Sequence, residues 1–375
     1  MEVISHLTSV RGGAAAGGFA STGHDSENGS MFGHQSSIAV SERSQVGEAR
    51  REGQRLAELV GFSETDAGRA AIVIAELATN LARHATGGRI LLRAEKTTGR
   101  TSLVILAIDS GPGMSDIGAC LTDGYSTGGT PGNGLGAVQR MSSEFDLYSS
   151  PPGGTVLYSR IDAAPAEPSA NRDAPSFAWG VVCQPIAHET ACGDSWRIAA
   201  EGRRLSVLMV DGLGHGPEAA AAAAIASETF NESPFAPATT LLHAAHERMR
   251  GSRGGAVSVA QLDADSGSLK YVGVGNIGGS ITPAGETAGR GLFSHNGTVG
   301  VQVRKVQEFS YDAPPGALLI LYSDGLQSRW SLSTYPGLAQ RHPAVIAGVL
   351  YRDFQRGRDD VTVAVIRRTP QGSRA

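Results

Sequence analysis

Fourteen consecutive residues, DAAPAEPSANRDAP (162–175), hold three prolines and no apolar side chain larger than alanine. A stretch of this kind has nothing to bury and cannot run through a hydrophobic core. It divides the chain into two units, residues 36–162 and 176–370, joined by a linker at 163–175. With 375 residues in all, each unit is long enough to close a core of its own. Residues 1–35 are rich in Gly, Ala and Ser without apolar periodicity, which predicts a flexible tail.

Charge excludes several classes of partner. The net charge is −4, and basic and acidic residues are close to balance in both units. No clustered positive face of a nucleic-acid reader and no polybasic membrane patch is present, so neither is expected as a partner. No apolar run reaches the roughly 18–20 residues of a membrane span, and MEVISHLTSVRGG lacks the apolar centre of a signal peptide. Cys120, Cys183 and Cys192 are far apart in sequence and form no CxxC pair. They read as small buried thiols in a reducing compartment, which places the chain in the cytosol.

The first unit reads as an α+β arrangement, helices on one side of a mixed sheet. A strand at Ser37–Val40 precedes a helix with apolar or small residues at Val46, Ala49, Gly53, Leu56 and Val60. Gly61 terminates it, and Ser63 with Asp66 opens a second helix running to about His84. Strands follow at Arg89–Lys96 and Ser102–Asp109, then a helix near Leu135–Ser143 and strands near Phe145–Tyr148 and Thr155–Arg160.

Between those strands and that helix lies YSTGGTPGNGLGAVQR, with Gly128, Gly129, Gly132, Gly134 and Gly136 in nine residues. A phosphate cradle of the P-loop type needs a Gly-Lys-Ser/Thr that is absent, and a Rossmann turn needs a strand running into the glycines. Two other segments accompany the loop. ILAIDSGPGM is a buried strand ending at Asp109, followed by Gly111 and Gly113. AIVIAELATNLARHA sets Glu76 and Asn80 one turn apart on the same face of a largely apolar helix. Polar groups placed there cost free energy unless something binds them.

Taken together, Glu-x3-Asn, Asp-x-Gly-x-Gly, Asp-Gly-Tyr-Ser-Thr-Gly-Gly and Gly-x-Gly-Leu-Gly resemble the GHKL (Bergerat) ATP-binding fold, and within it the RsbT-like anti-sigma-factor serine/threonine kinases. The resemblance covers about residues 36–162. It implies that Asp109 accepts a hydrogen bond from the adenine amino group, with Gly111 and Gly113 letting backbone close on the base. Asn80 would ligate Mg2+, and Glu76 would be the general base toward a protein hydroxyl. Gly128, Gly129, Gly132, Gly134, Leu135 and Gly136 would form the lid over the phosphates of ATP, with Thr155 near the adenine end. Pro131 and Asn133 depart from the usual lid pattern. A sensor histidine kinase would share the fold, but no phosphoacceptor-histidine helix precedes it; His34 lies in a polar segment.

The second unit is rich in strands: Ala178–Gln184, Ser195–Ala200, Leu205–Val210, Ala256–Leu262, Leu269–Gly273, Gly279–Thr282, Leu318–Ser323 and Asp360–Ile366. Two helices are expected with Pro217 and Pro237 in their first turns, and a third over His342–Asp353. Two sheets with helices outside is the architecture this pattern suggests. LSVLMVDGLGHG and LLILYSDGL are apolar strands that both end in Asp-Gly, at Asp211–Gly212 and Asp324–Gly325. Asp194 lies in CGDSW, and Asp359 and Asp360 lead the last strand. If these carboxylates converge, each pair at about 4 Å costs roughly 4 kcal/mol at an effective dielectric near 20. Oxygen-only ligands of that kind suit Mg2+ or Mn2+.

GDSW, VDGLGHG, GGAVSVAQLD, YVGVGNIGG, LYSDGL and DDVTV in that order resemble the PPM-type metal-dependent phosphatases in their SpoIIE-like and RsbX-like branch, an αββα sandwich, over about residues 176–368. The resemblance implies two metal ions held by Asp211, Gly212, Asp324 and Asp359, with Asp194 acting directly or through water; Asp359 matches the usual ligand better than Asp360. Arg197 and Arg203 are candidates for gripping phosphate, and His215 reads as a loop histidine. Jointly the two resemblances imply a bifunctional switch. One domain phosphorylates a partner on Ser/Thr with Mg-ATP and the other dephosphorylates it. The implied partner is a STAS-domain antagonist in a sigma-factor or stressosome-type switch. The alternative is an ATP-dependent binding module that regulates a single phosphatase. The partner's identity, the input signal and the oligomeric state are not written in the residues.

Overall fold

A computed structural model of the chain describes residues 31–32, 35–97, 100–122, 134–164 and 175–370. The first unit comprises β1 (Met31–Phe32), β2 (Ser36–Ala39), α1 (Arg43–Leu59), α2 (Glu64–His84), β3 (Arg89–Thr97), β4 (Arg100–Asp109), α3 (Ile117–Leu121), α4 (Gly134–Met141), β5 (Glu144–Ser149) and β6 (Thr155–Asp162). The sheet runs β1-β3-β4-β6-β5, with β2 also paired to β3. Every pairing is antiparallel, so the expected mixed sheet is corrected. β3–β4 and β5–β6 are hairpins, whereas the paired strands β2 and β3 are joined through α1 and α2; among the described residues no parallel pair occurs.

Local chemistry accounts for the helices. Gly61 takes a left-handed φ of 74° after α1, where a side chain would be strained. The Ser63 hydroxyl then accepts the Asp66 N–H at 3.1 Å and caps α2. α1 and α2 cover one face of the sheet, packing Leu56, Ile74 and Leu77 on Leu92, Leu103 and Ile105.

The second unit comprises β7 (Phe177–Gln184), β8 (Asp194–Glu201), β9 (Arg204–Gly212), α5 (Pro217–Glu232), α6 (Ala238–Arg248), β10 (Gly255–Asp263), β11 (Ser268–Val274), β12 (Gly278–Thr282), β13 (Arg290–Gly291), β14 (Gly297–Thr298), β15 (Gln302–Val303), β16 (Phe309–Asp312), β17 (Leu318–Tyr322), α7 (Pro343–Phe354) and β18 (Val361–Arg368). Two five-stranded sheets, β16-β11-β10-β9-β8 and β13-β12-β17-β18-β7, face each other across a core of Trp196, Met209, Tyr271, Leu319 and Ile366. Pro217 opens α5 as expected, whereas Pro237 caps α6 from outside its first turn. α5 and α6 cover the first sheet, and α7 lies on the second.

α7 joins the two units. All of Pro343–Tyr351 is buried, as a helix that is apolar all round requires. One side of α7 packs on β7, β17 and β18. The other packs on the open face of the first sheet, through Leu91, Val104, Leu106, Ile108, Val156 and Tyr158. Gly348 permits the approach, since a Cβ there would lie 2.6 Å from Val156 Cγ1. Polar contacts fix the docking. Asp146 accepts from His342 N at 2.6 Å and Arg341 Nη1 at 3.2 Å. The His342 ring stacks on Tyr158, 4.1 Å between centroids. Buried Arg93 donates to the Val181 carbonyl at 2.7 Å. The layer order is therefore helices, sheet, α7, sheet, sheet, helices.

Candidate active sites

The first site lies where α2, α4 and the end of β4 meet. α2 carries Glu76 and Asn80, both partly buried. α4 begins on top of them: a Cβ on Gly134 would lie 3.1 Å from Glu76 Oε2 and 3.9 Å from Asn80 Oδ1. Gly134, Leu135 and Gly136 form the opening of α4, so the helix N-terminus sits beside the carboxylate and amide, as a phosphate site needs. The other expected lid residues, Gly128, Gly129 and Gly132, lie outside the described residues, as do Pro131, Asn133 and His34.

Asp109 ends β4 directly opposite Thr155 of β6. Its Oδ1 accepts the Gly111 N–H at 2.7 Å. Burial pushes the carboxyl above its ordinary range, opposed by the Gly111 N–H, the Arg352 charge and the Thr155 N–H. Gly113 has φ 72°, and a Cβ there would meet the Ser150 carbonyl at 2.9 Å. Ser149 Oγ ties the loop down, accepting from Met114 N at 2.8 Å and sharing a hydrogen bond with Thr155 Oγ1 at 2.9 Å. The sequence reading missed Ser149, and it missed Arg352 of α7, whose Nη1 donates to the Asp109 carbonyl at 3.3 Å.

The second site lies where β8, β9, β17 and β18 present carboxylates at adjacent strand ends. Asp194 and Asp211 are register partners on β8 and β9. Asp324 follows β17 and Asp359 precedes β18. Gly212 leaves no room for a side chain, since a Cβ would lie 2.5 Å from the Ala219 carbonyl. Burial raises Asp211 to about 7, and the charges of Asp324 and Asp359 push the same way. Burial also raises Asp324 and, with Asp211 beside it, holds Asp194 well above the carboxylate range. Asp211 Oδ2 is buried without a hydrogen-bond partner. Among the described residues no three His, Cys, Asp or Glu side chains form a ready-made ligand shell. An orphaned oxygen among mutually repelling carboxylates nonetheless fits hard divalent cations.

The Asp359–Asp360 pair divides its labour. Asp360 is buried and both its oxygens are taken, Oδ1 by Ile186 N and Oδ2 by Gly193 N, each at 2.7 Å. These bonds give it a part in positioning the loop before Asp194. Asp359 keeps its outer oxygen open, Oδ1 accepting Asp360 N at 2.9 Å. Ser323 Oγ donates to Asp194 Oδ2 at 2.6 Å, and Asn276 Nδ2 donates to Asp324 Oδ2 at 2.7 Å. Neither was singled out from sequence, although both stand inside the quoted motifs.

Arg197 and Arg203 are corrected as phosphate grips. Arg197 Nη1 donates to the Trp196 carbonyl at 2.7 Å, and Arg203 bonds Asp265 and the Ala264 carbonyl. His215 Nδ1 meets Glu189 at 3.1 Å, in keeping with a role in the loop. Cys183 and Cys192, nine residues apart in sequence, stand with their sulfurs 3.7 Å apart.

Residues 39–160 match the family of histidine kinase-like ATPase domains, and residues 201–369 match the stage II sporulation protein E family. The serine/threonine-protein kinase RsbT of Bacillus subtilis (strain 168) is 36% identical over 123 residues, covering 33% of this chain and 92% of that protein. Among solved structures, RsbX in complex with magnesium is 17% identical at a TM-score of 0.45, over 52% of this chain and 97% of its own. The RsbU and RsbW domains of a Mycobacterium tuberculosis protein are 22% identical at 0.43, over 53% and 63%. Likeness at those TM-scores is too coarse to transfer a site residue.

Proposed function

Since the chain belongs to the RsbT family of serine/threonine-protein kinases and fuses to that unit a SpoIIE-type phosphatase domain, we propose that it sets the phosphorylation state of one partner protein from both directions. The observation that carries this reading is the presence of two separate sites of opposite chemistry. One offers a carboxylate beside a helix N-terminus; the other offers a cluster of carboxylates with an unpaired oxygen.

In the kinase direction, Asp109 accepts from the adenine amino group and the α4 N-terminus holds the phosphates. Glu76 takes the proton from a Ser or Thr hydroxyl as its oxygen bonds to the γ-phosphorus and the bond to ADP breaks. Asn80, beside Glu76, would hold Mg2+. In the phosphatase direction, Asp211, the Gly212 carbonyl, Asp324 and Asp359 would hold two Mg2+ or Mn2+ ions, with Asp194 behind them. Such ions, when bound, polarise the phosphoryl group and the attacking water. Ser323 and Asn276 orient Asp194 and Asp324, and Asp360 fixes the loop that carries Asp194.

The partner is a protein of partner-switching type, and a STAS-domain antagonist is the candidate. A second reading, an ATP sensor that regulates the phosphatase without transferring phosphate, draws on the Arg352 contact to Asp109, which ties the nucleotide site to α7. Glu76→Ala separates the two. If phosphate transfer is real it collapses in this variant while ATP binding persists; if the wild type transfers none to any acceptor, the sensor reading holds.

A further inference from the structure

Beside the carboxylate site is a solvent-open cavity of about 420 Å³ lined by Gln327, Ser328, Arg329, Arg356 and Arg358. Its two walls are short tethers from the site itself. Residues 325–329 leave Asp324, and residues 355–358 lead into Asp359. Backbone bonds zip the walls together, Gln327 N to the Phe354 carbonyl at 2.9 Å and Arg356 N to the Gly325 carbonyl at 2.8 Å, with a bridge between Leu326 and Gln355. A Cβ on Gly325 would run into the Asp360 carbonyl, which locks this crossing.

Three guanidiniums thus surround one cavity on a fixed frame. All three arginines are exposed, and among the described residues no carboxylate forms an ion pair with any of them. Elsewhere arginines of this chain are commonly paired, as Arg253 is with Glu218 and Arg160 with Glu144. Their nearest acidic neighbours are the site's own carboxylates, Arg356 acting on Asp324 at longer range, and three like charges around one open cavity favour an anion that bridges them.

We infer that this cavity is a specificity subsite of the phosphatase, taking acidic side chains of the polypeptide segment that carries the phosphoserine or phosphothreonine. The inference rests on the phosphatase reading. A phosphoester entering the carboxylate site brings neighbouring residues of its own chain over the 325–329 and 355–358 walls. Carboxylates there find donors that are already in place. The subsite selects among protein substrates and leaves a small phosphoester unaffected.

The test compares wild type with Arg329→Gln and Arg358→Gln, with Mn2+, on three substrates. These are p-nitrophenyl phosphate, a phosphothreonine peptide with neutral flanks and the same peptide with aspartates on both sides. The wild type should prefer the acidic peptide, and each variant should raise KM for it about five- to tenfold. kcat, the neutral peptide and p-nitrophenyl phosphate should hardly change. An unchanged KM for the acidic peptide overturns the inference. So does a rise for all three substrates, which would mean that the arginines grip the scissile phosphate or support the metal site. A wild type that hydrolyses none of the three overturns the phosphatase reading itself, and this inference with it.

Discussion

The two proposed sites would bind phosphate in contrasting ways. The first would rely on backbone, with glycines, a helix N-terminus and a strand end, and with Glu76, Asn80 and Asp109 as its proposed functional side chains. The second would rely on charged side chains at strand ends, two of them held by a side-chain donor, Asp194 by Ser323 and Asp324 by Asn276. A backbone site tolerates side-chain change but not added bulk. A charge cluster fails when one oxygen is lost or one orienting donor is removed. The two sites should therefore respond separately to mutation, although α7 packs between the units and reaches the Asp109 carbonyl through Arg352.

Glu76→Ala is the sharpest way to divide them. Phosphate transfer to an acceptor should fall by about 10²–10⁴-fold, the usual contribution of a general base. Hydrolysis of p-nitrophenyl phosphate should stay at the wild-type rate. A parallel loss of both activities would break the separation.

Asp360→Asn tests the positioning role in the second site. It removes a charge but keeps the shape, so one of two backbone donors loses its acceptor. Metal affinity, followed as the Mn2+ dependence of phosphoester hydrolysis, should weaken by about 10–100-fold, as for other residues that orient a ligand. ATP binding should not move.

His342 tests the junction. Burial, with Arg160, Arg367 and Arg100 adding to it and Asp146 opposing, lowers its pKa from 6.5 to about 3. The folded chain therefore holds it neutral where the unfolded chain protonates it. Stability is fully present above about pH 6.5 and is lost as pH falls toward 3. At pH 5 the loss is on the order of 2 kcal/mol, and His342→Phe should remove much of that slope in denaturant titrations at pH 7 and pH 5.

Arg352→Ala should have the smallest effect. Its guanidinium supports the Asp109 carbonyl from the other domain and favours the Asp109 carboxylate. Its loss should weaken ATP binding by about two- to fivefold, because the buried guanidinium makes its two shorter bonds to Asp353 and only one long bond to Asp109. Calorimetry on the variant measures this. No change would mean that the two sites are coupled by packing alone.

Most elements were legible because their periodicities are clear. Both Asp-Gly strands, the Glu76–Asn80 helix and the Asp109 strand stand where the apolar pattern predicts. What was missed has physical reasons. Strands of two residues, such as β13 to β15, carry no periodicity. Asp359 and Asp360 are the same residue type side by side; the resemblance favours Asp359, but the bonds of Asp360 to the Ile186 and Gly193 N–H groups are not readable from the letters. The docking of the units was within reach: Leu103 to Ile108 is apolar at every position, so both faces of β4 need cover, and PAVIAGVLY is too apolar for a surface helix. The pairing of α7 with that open face is a matter of long-range geometry, as is the gathering of Arg329, Arg356 and Arg358 around one cavity.

The most direct test of opposed activities is a phosphate-cycling assay on a STAS-domain acceptor with ATP and Mn2+ or Mg2+, comparing wild type with Asp211→Ala. Phosphorylated acceptor should accumulate with Asp211→Ala and be consumed when wild type is added. If it never accumulates, while wild type still strips an acceptor phosphorylated beforehand, the first unit is a nucleotide-dependent regulator and the account of two opposed activities is contradicted.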